Sequence, residues 1–205
     1  MPRIRADSID EHKALTRRAL LDSAYQLIDE AGTAEVSLGE VALSAGIGRT
    51  TLYDYFSDRD DLIAALVEEE LPVVIGELID EVDPDLPIGE QLAELATKTV
   101  EFVATDRVYG VILHREVGRM GLEAQERIRD SHSDLSTTMA GLYRRGVEDG
   151  IFDPLPPSLA GRLIQDAIMS AARVLIDGSA DKEAVAAGLE RFLLKGLGYQ
   201  EFDSR

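Results

Sequence analysis

The stretch VSLGEVALSAGIGRTTLYDYFSDRDDL, residues 36–62, decides the fold of this chain. Ser37 is followed three residues later by a glutamate, and this capping box predicts the first turn of a helix. Gly46 stands where the chain must leave that helix with a left-handed backbone, which glycine adopts without steric cost. Leu52 and Phe56 are four residues apart, so they share one face of a second helix. The pattern predicts two helices joined by a tight turn.

Small and apolar residues around the turn narrow this prediction. A generic helical hairpin would account for any one of the features above. However, apolar Val41 and small Ala42 lie where the first helix faces the second, and apolar Ile47 follows the turn. Two helices cross this closely where a small residue, a glycine and an apolar anchor coincide. The conjunction therefore favours a helix-turn-helix over a generic hairpin.

Two stretches carry a resemblance to a known family. The sequence GRTTLYDYFSDRDDL, residues 48–62, resembles the recognition helix and the next helix start of TetR-family transcriptional repressors. The sequence TRRALLDSAYQLIDEAG, residues 16–32, is similar to that family's first helix. The resemblance implies an all-α protein. It places a three-helix DNA-binding domain over residues 1–61 and a larger helical domain for effector binding and dimerisation over residues 62–205.

The composition argues against several classes of protein. The 205 residues are enough for one or two small domains with a real core. The absence of cysteine excludes disulfides, thiol catalysis and cysteine-ligated zinc. No apolar run approaches the ~18 residues of a membrane span, and the N-terminus lacks the apolar core of a signal peptide. We expect a soluble, cytoplasmic protein with no membrane partner and no cofactor.

The chain is strongly acidic, with a formal net charge of −18. Proteins that coat nucleic acid without sequence preference use broad basic surfaces, so the charge argues against that class. Sequence-specific binding needs only local positive charge. Residues 1–61 carry seven bases and twelve acids, and we expect the bases to cluster at the DNA. Asp54 should point away from the phosphates or pair with Arg49 or Arg59.

The second helix of the predicted helix-turn-helix, from Gly48 to Phe56, is expected to contact DNA. Its start, with Arg49 and Thr50, is the part that enters the major groove, where arginine can bind guanine O6 and N7. A solvated surface charge is the alternative role for Arg49. By the resemblance, Thr51, Tyr53 and Tyr55 contact phosphates, and Arg59 does so where the family usually has lysine. Gly48 lets the backbone come close to DNA, and Ser37 can donate to a phosphate as well as cap.

Two alternatives stay open around these contacts. Tyr53 and Tyr55 are either phosphate contacts or packing aromatics with exposed hydroxyls. Arg3 and Arg5 either form an arm that reaches the minor groove or belong to a disordered basic terminus.

The remainder of the chain is predicted to be helical, since glycines and prolines punctuate it and no alternating strand pattern is present. Pro72 should kink or interrupt the first long helix, and Ser158 should cap the helix that follows the last prolines. We expect helices over residues 59–82, 88–104, 106–121, 122–150, 158–178 and 181–196.

The last two predicted helices are the candidate dimer interface. Small residues stand beside larger apolar ones there, which lets helices approach closely in a four-helix bundle. The pattern alone favours the core of a single chain, whereas the resemblance favours a homodimer, because members of the family dimerise through their final two long helices. The residues expected at this interface are Ile164, Ile168, Ala171, Phe192 and Leu193.

By the resemblance, the middle helices form an effector pocket. Methionines adapt to varied ligands but are more often ordinary core, and histidines are more often satisfied or exposed than functional. We expect a small molecule that is partly apolar, because these helices supply mostly aliphatic, Met and Tyr side chains. The candidate pocket residues are Tyr109, His114, Arg115, Met139, Tyr143, Met169 and Arg173.

Three classes of function compete: a ligand-responsive DNA-binding repressor, an enzyme, and a helical adaptor that binds protein. The chain has three histidines and no HExxH, GxSxG or GxGxxG motif. We therefore expect no catalytic residue and no metal site. The acidity and Asp54 favour the adaptor. The resemblance favours a repressor that binds a palindromic operator as a homodimer and is released by a small-molecule effector.

Overall fold

The computed structural model describes residues 6–199, and all regular structure in that part of the chain is helical. The predicted all-α fold is confirmed. The α-helices are α1 Ala6–Ala31, α2 Leu38–Ser44, α3 Arg49–Leu52, α4 Arg59–Asp80, α5 Ile88–Thr105, α6 Arg107–Val111, α7 Leu122–Asp130, α8 Ser133–Glu148, α9 Pro157–Ile176 and α10 Lys182–Gly196. A π-helix at Ile112–Glu116 and a 3-10 helix at Val117–Arg119 follow α6. Within the described range, no helix is long and apolar enough to cross a membrane.

The chain forms two compact units. The first unit contains the chain up to Glu70 together with Arg107–Ile128. The second unit contains Leu71–Asp106 together with the chain from Arg129 onward. Helix α4 therefore contributes its first half to one unit and its second half to the other. The functional division between residues 1–61 and 62–205 stays a prediction.

The first unit is built on the apolar face of α1. Leu20, Leu21 and Ile28 are fully buried there, and α1 contacts both α2 and α6. The rings of Tyr25 in α1 and Tyr109 in α6 meet edge to face, with their centroids 6.4 Å apart. Burying one large aliphatic side chain stabilises a fold by about 1.5–3 kcal/mol. Helix α1 is thus the scaffold that holds the shorter helices of this unit.

Helix α5 is the central element of the second unit. It contacts α8, α9 and α10, and its apolar face is buried along its length. The loop between α8 and α9 is held by the Tyr143 hydroxyl, which donates to the Asp153 carbonyl at 3.0 Å and accepts from the Leu155 N–H at 2.8 Å. The Tyr143 ring also stacks on Phe152, with centroids 5.9 Å apart. Tyr143 therefore connects α8 to the chain that leads into α9.

Two of the predicted boundaries of the later helices are confirmed. Helix α5 begins at Ile88, after the proline-containing loop. Asp181 caps α10, because its carboxylate accepts a hydrogen bond from the Ala184 N–H at 2.8 Å.

The single helix predicted over residues 122–150 is wrong. Helix α7 ends at Asp130, and α8 begins at Ser133. At the break the His132 N–H bonds to the Arg129 carbonyl, three residues back, at 3.1 Å. Short polar side chains at the break compete with the backbone for hydrogen bonds. This polar competition ends the first helix although the apolar pattern continues.

Two predictions concern the helices that contain prolines. Helix α4 runs unbroken from Arg59 to Asp80 with Pro72 inside it, so the predicted interruption is wrong, while a kink at Pro72 stays a prediction. The predicted cap of α9 by Ser158 is also wrong. That helix begins at Pro157 with Pro156 in the N-cap position. Proline suits the first helical position, because its missing N–H would have no partner within the helix.

The role of Tyr143 in the second unit is testable. Replacing Tyr143 with Phe removes both hydrogen bonds and leaves the partly buried Leu155 N–H and the Asp153 carbonyl without that partner. The change should lower the free energy of unfolding by about 1–3 kcal/mol, measured by urea denaturation. Tyr53→Phe is the matched control, because Tyr53 is 49% exposed and should shift stability by less than about 0.5 kcal/mol. Equal stabilities of the two variants would contradict this role.

Candidate DNA-binding site

The capping box at the start of α2 is present as predicted. The Ser37 hydroxyl accepts from the Glu40 N–H at 3.2 Å, and the Glu40 carboxylate accepts from the Ser37 N–H at 2.9 Å. Hydrogen bonds from the Ser37 side chain, and then from its backbone, lower the pKa of Glu40. Ser37 is exposed, but its hydroxyl has a single hydrogen to donate, so a phosphate would compete with Glu40 for it, and the phosphate contact stays a prediction.

The turn between α2 and α3 depends on the backbone of Gly46. Its φ is 67°, which is the left-handed conformation predicted for this position. The Ile47 N–H bonds to the Ala42 carbonyl at 2.9 Å, and the Gly46 N–H bonds to the Leu43 carbonyl at 3.1 Å. These bonds satisfy the last carbonyls of α2 and set the direction in which α3 leaves.

The predicted recognition helix from Gly48 to Phe56 is too long. Helix α3 covers only Arg49–Leu52, with Gly48 as its N-cap. Beyond it the Tyr55 and Phe56 N–H groups both bond to the Leu52 carbonyl, at 2.9 and 3.1 Å. Aromatic residues and aspartate are weak helix formers, and a single turn gains little from cooperativity. The helix therefore ends at Leu52, which is buried, and a turn follows it.

The exposed side of this segment carries most of the predicted DNA contacts. Leu52 and Phe56 are buried, whereas the residues between and before them face outward. Tyr55 is half-buried beside Phe56, with ring centroids 6.5 Å apart, so it combines packing with a partly exposed edge. We call the exposed residues of this segment that are predicted to contact DNA the reading surface, and they are Gly48, Arg49, Thr50, Thr51 and Tyr53.

The bases of the first unit are mostly engaged by acids rather than gathered at the reading surface. Arg17 pairs with Glu69 at 3.4 Å, and its guanidinium lies 5.2 Å from the centre of the Phe56 ring. Arg18 pairs with Asp22 at 2.9 Å and also contacts Glu70. The expectation that the bases cluster at the DNA is thus wrong for these two arginines. Arg3 and Arg5 lie outside the described residues.

Arg49 and Asp54 differ from these paired residues. Both are exposed, and neither takes part in an ion pair within residues 6–199. The pairing of Asp54 with Arg49 or Arg59, one of its two expected positions, is thus not found in this part of the chain, and its orientation away from the phosphates stays a prediction. Arg49 is available to a ligand, because no acidic partner holds its guanidinium.

The side chain of Arg59 is turned towards the protein. Its Nε donates to the Ala34 carbonyl at 2.7 Å, and its Nη2 donates to the Glu116 carboxylate at 2.6 Å. A phosphate contact by Arg59 stays a prediction, but two of its five donors already serve protein acceptors. The partner Glu116 was not predicted from the sequence. A glutamate is rarely buried unless it is paired, so an acid inside an apolar helix was the available signal.

The start of α4 is held by its own acids. Asp61 accepts from the Ser57 N–H at 2.8 Å and from the Ser57 hydroxyl at 3.2 Å, and also from Arg127 of α7 at 2.7 Å. Burial alone would raise the pKa of Asp61, but these hydrogen bonds and the charge of Arg127 together lower it. The pKa of Arg127 is raised, chiefly by its hydrogen bonds to Glu68. The separation of these residues along the chain left no local signal for the pair.

The predicted pocket residues are divided between the two units. Tyr109, His114 and Arg115 belong to the first unit, and the other four belong to the second. Tyr143 uses its hydroxyl in the loop described above. Arg115 and Arg173 are exposed. The remaining two residues are Met139 and Met169, and the role of each of the seven in effector binding stays a prediction.

The predicted dimer residues do not share one surface. Ile164, Ile168 and Leu193 are only 3–5% exposed, because they pack inside the protomer. This burial corrects their assignment to the interface. Phe192 is 62% exposed and Ala171 is partly exposed, so these two remain available to a second copy.

An exposed reading surface set on a buried helix-turn-helix, in an otherwise helical chain, defines a DNA-binding transcriptional regulator. Residues 20–66 match the model described as "Bacterial regulatory proteins, tetR family", and residues 85–197 match the model described as "Tetracyclin repressor-like, C-terminal domain". The second match spans more than half of the chain, so this protein belongs to the TetR family. It is a DNA-binding transcriptional regulator.

Relatives across most of the chain support this membership. The chain is 23% identical over 181 residues to the fatty acid metabolism regulator protein of Bacillus subtilis, covering 87% of this chain and 93% of that protein. It is 29% identical over 167 residues to the HTH-type transcriptional regulator AcrR of Shigella flexneri, covering 67% of this chain and 77% of that protein.

Solved structures share the fold. The regulator FadR from Bacillus subtilis, in complex with stearoyl-CoA, matches with a TM-score of 0.74 and 22% identity, covering 87% of this chain and 98% of that chain. RolR in complex with resorcinol matches with a TM-score of 0.67 and 24% identity, covering 93% of this chain and 91% of that chain. At these identities the likeness shows the fold alone.

The lowered pKa of Asp61 predicts a pH-dependent loss of stability. A carboxylate whose pKa is depressed by folding stabilises the protein above its ordinary value of 3.8, and this contribution is lost as the pH falls through the folded value. Asp61→Asn should therefore lower the free energy of unfolding by about 1.5–3 kcal/mol at neutral pH. The difference in free energy of unfolding between this variant and the wild type should disappear as the pH falls below 3.8. Urea denaturation across that pH range measures it. A gap that stays constant with pH would contradict the assignment.

Proposed function

We propose that this chain is a cytoplasmic repressor that binds a pseudo-palindromic operator as a homodimer and is released by a small-molecule effector. The observation that carries the proposal is the reading surface, whose side chains are exposed while Leu52 and Phe56 beneath it are buried. Such an arrangement presents hydrogen-bonding groups and methyl groups to a major groove at fixed positions. An adaptor that binds protein would not require polar, exposed side chains fixed in position by a buried apolar core.

The outward faces of α9 and α10 support the homodimer. Leu159, Leu163 and Val174 are exposed on α9, and Phe192 is exposed on α10. The two helices pack against each other, and we call these four exposed apolar side chains the outer stripe. Exposed apolar patches commonly mark protein–protein contacts. A second copy of the chain is the proposed occupant, because a palindromic operator requires two reading surfaces ~34–36 Å apart.

The proposed effector is a small molecule with a substantial apolar part. Buried Met139 and the partly exposed Met169, both in the second unit, are adaptable side chains that suit such a ligand. The ligands named in the two solved structures, stearoyl-CoA and resorcinol, both contain apolar groups. They differ in charge, since the first is anionic and the second is neutral. The acidity of this chain favours the neutral class, and exposed Arg115 and Arg173 are the groups that would favour an anion.

Base reading by Arg49 is the first test of this function. Arg49→Ala should weaken operator binding by about 1–3 kcal/mol and relax the preference at one base pair in each half-site. The operator is first selected from random duplexes with the wild-type chain, and affinities are measured by fluorescence anisotropy at constant salt. Arg144→Ala is the matched control, because it removes the same charge from an exposed position on α8. If both variants kept the affinity and the base preference of the wild type, another residue would read that base pair.

The outer stripe predicts how the dimer can be broken. Phe192→Glu would bury an unpaired carboxylate in the contact, which association does not offset. This variant should be a monomer by light scattering and should lose operator binding. Leu122→Glu is the control, because Leu122 is 78% exposed on α7, outside the stripe, and this variant should remain a dimer. An intact Phe192→Glu dimer would move the interface elsewhere.

Effector release predicts a linkage between ligand and operator. A ligand that releases the repressor must bind the free protein more tightly than the operator-bound protein. A coupling of about 1–3 kcal/mol corresponds to a 5–150-fold difference in affinity. Stearoyl-CoA and resorcinol, as an anionic and a neutral probe, are titrated by calorimetry with and without operator. A probe that binds equally well in both states would contradict its role as an inducer.

A further inference from the structure

Arg127 of α7 joins two acids of α4 within the first unit. Its Nε and Nη2 donate to the two carboxylate oxygens of Glu68, at 2.8 and 2.5 Å. Its Nη1 donates to Asp61 Oδ1 at 2.7 Å. The three side chains are about 27–34% exposed, so water screens these contacts only in part. One guanidinium thus joins two acids that lie about two turns apart on α4.

The second oxygen of Asp61 continues the chain of contacts to the DNA-binding segment. Asp61 Oδ2 accepts from both the backbone N–H and the hydroxyl of Ser57, at 2.8 and 3.2 Å. Ser57 directly follows Phe56, the buried residue that closes the turn after α3. A carboxylate that accepts three hydrogen bonds in this way is fixed in position, and so are its donors. The contacts therefore run from Arg127 through Asp61 to the end of the segment that carries the reading surface.

We propose that Arg127 is a positioning residue for operator binding: through Asp61 it holds Ser57, and with it the end of the turn that orients Tyr53 and Tyr55. The inference rests on the proposed function, because operator binding is what the positioning serves. Arg127 itself has no role in reading bases. Its loss should weaken binding to every DNA sequence by a similar factor, since contacts to phosphate position the protein without reading the sequence.

The two acidic partners of Arg127 separate positioning from stability. Glu68 receives two of the hydrogen bonds described above for Arg127, but none of the contacts described for Glu68 reaches the DNA-binding segment. Asp61 receives one of them and passes the constraint to Ser57. Glu68→Gln and Asp61→Asn remove the same charge from the same cluster. The first should therefore lower the melting temperature alone, whereas the second should also weaken operator binding.

The experiment compares four variants of the full-length chain, namely Arg127→Gln, Asp61→Asn, Glu68→Gln and the double variant Arg127→Gln/Asp61→Asn. Operator affinity is measured by anisotropy well below each melting temperature. We expect about tenfold weaker binding for Arg127→Gln and for Asp61→Asn, and less than about twofold for Glu68→Gln. The double variant should bind no more weakly than either single variant, because both changes break the same series of contacts.

A spectroscopic measurement without DNA tests the contact series directly. The amide resonance of Ser57 should move in Arg127→Gln and Asp61→Asn, since its N–H loses or changes its carboxylate acceptor, and should stay in place in Glu68→Gln. If Arg127→Gln fails to fold, Arg127→Lys takes its place, because lysine keeps the positive charge but not the planar fork that reaches both acids.

Three results would overturn the proposal. They are equal operator affinities for Asp61→Asn and Glu68→Gln, additive losses in the double variant, and an unmoved Ser57 amide in Asp61→Asn. A wild-type chain that bound no selected DNA would instead overturn the proposed function, and the Ser57 resonance would still show whether Arg127 fixes this segment.

Discussion

The burial of Leu52 and Phe56 is the contact on which the DNA-binding site depends. A helix of one turn does not persist in water, because the cost of nucleation exceeds the gain from so few hydrogen bonds. Helix α3 exists because these two side chains are packed into the first unit, below the reading surface. The scaffold of α1 and the left-handed Gly46 determine where that packing takes place. Base recognition in this protein is therefore a product of tertiary structure rather than of helix propensity.

The acidic composition affects the way in which this site can bind DNA. Arg17, Arg18 and Arg59 hold the first unit together by pairing with acids of α1, α4 and Glu116. Few bases are left to neutralise phosphates, so nonspecific affinity should be small, because that affinity grows with the number of phosphate contacts. The protein therefore binds DNA in general more weakly but distinguishes sequences better, since DNA is attracted only where the reading surface fits.

Local signals in the sequence predicted the parts of the fold that depend on neighbouring residues. The capping box at Ser37 and the turn at Gly46 each involve groups within a few positions, and both are found in the structure. The end of α3 and the break before Ser133 were not predicted, because apolar periodicity does not reveal where packing or polar competition stops a helix. The pairs Arg59–Glu116 and Asp61–Arg127 were not predicted either, since their members are 57 and 66 residues apart.

Helix α9 shows that a sequence pattern cannot assign apolar residues to the protomer core or to a dimer interface. Helix α9 carries two apolar stripes, one through Ile164 and Ile168 and one through Leu159 and Leu163. Both repeat at helical spacing, so the pattern alone cannot say which stripe packs against α5 and which faces outward. Only the structure separates the core of the protomer from the surface left for a partner, and it reverses part of the original assignment.

The separation of the reading surface from the scaffold has a consequence for how such regulators diversify. Arg49, Thr50 and Thr51 are exposed, and exchanging exposed residues that support no packing usually changes stability by less than about 0.5 kcal/mol. New operator preferences can therefore arise by substitution at these positions while the fold tolerates every intermediate. A gene duplicate could acquire a different target without first acquiring compensating mutations, and a designer could recode the protein by the same route.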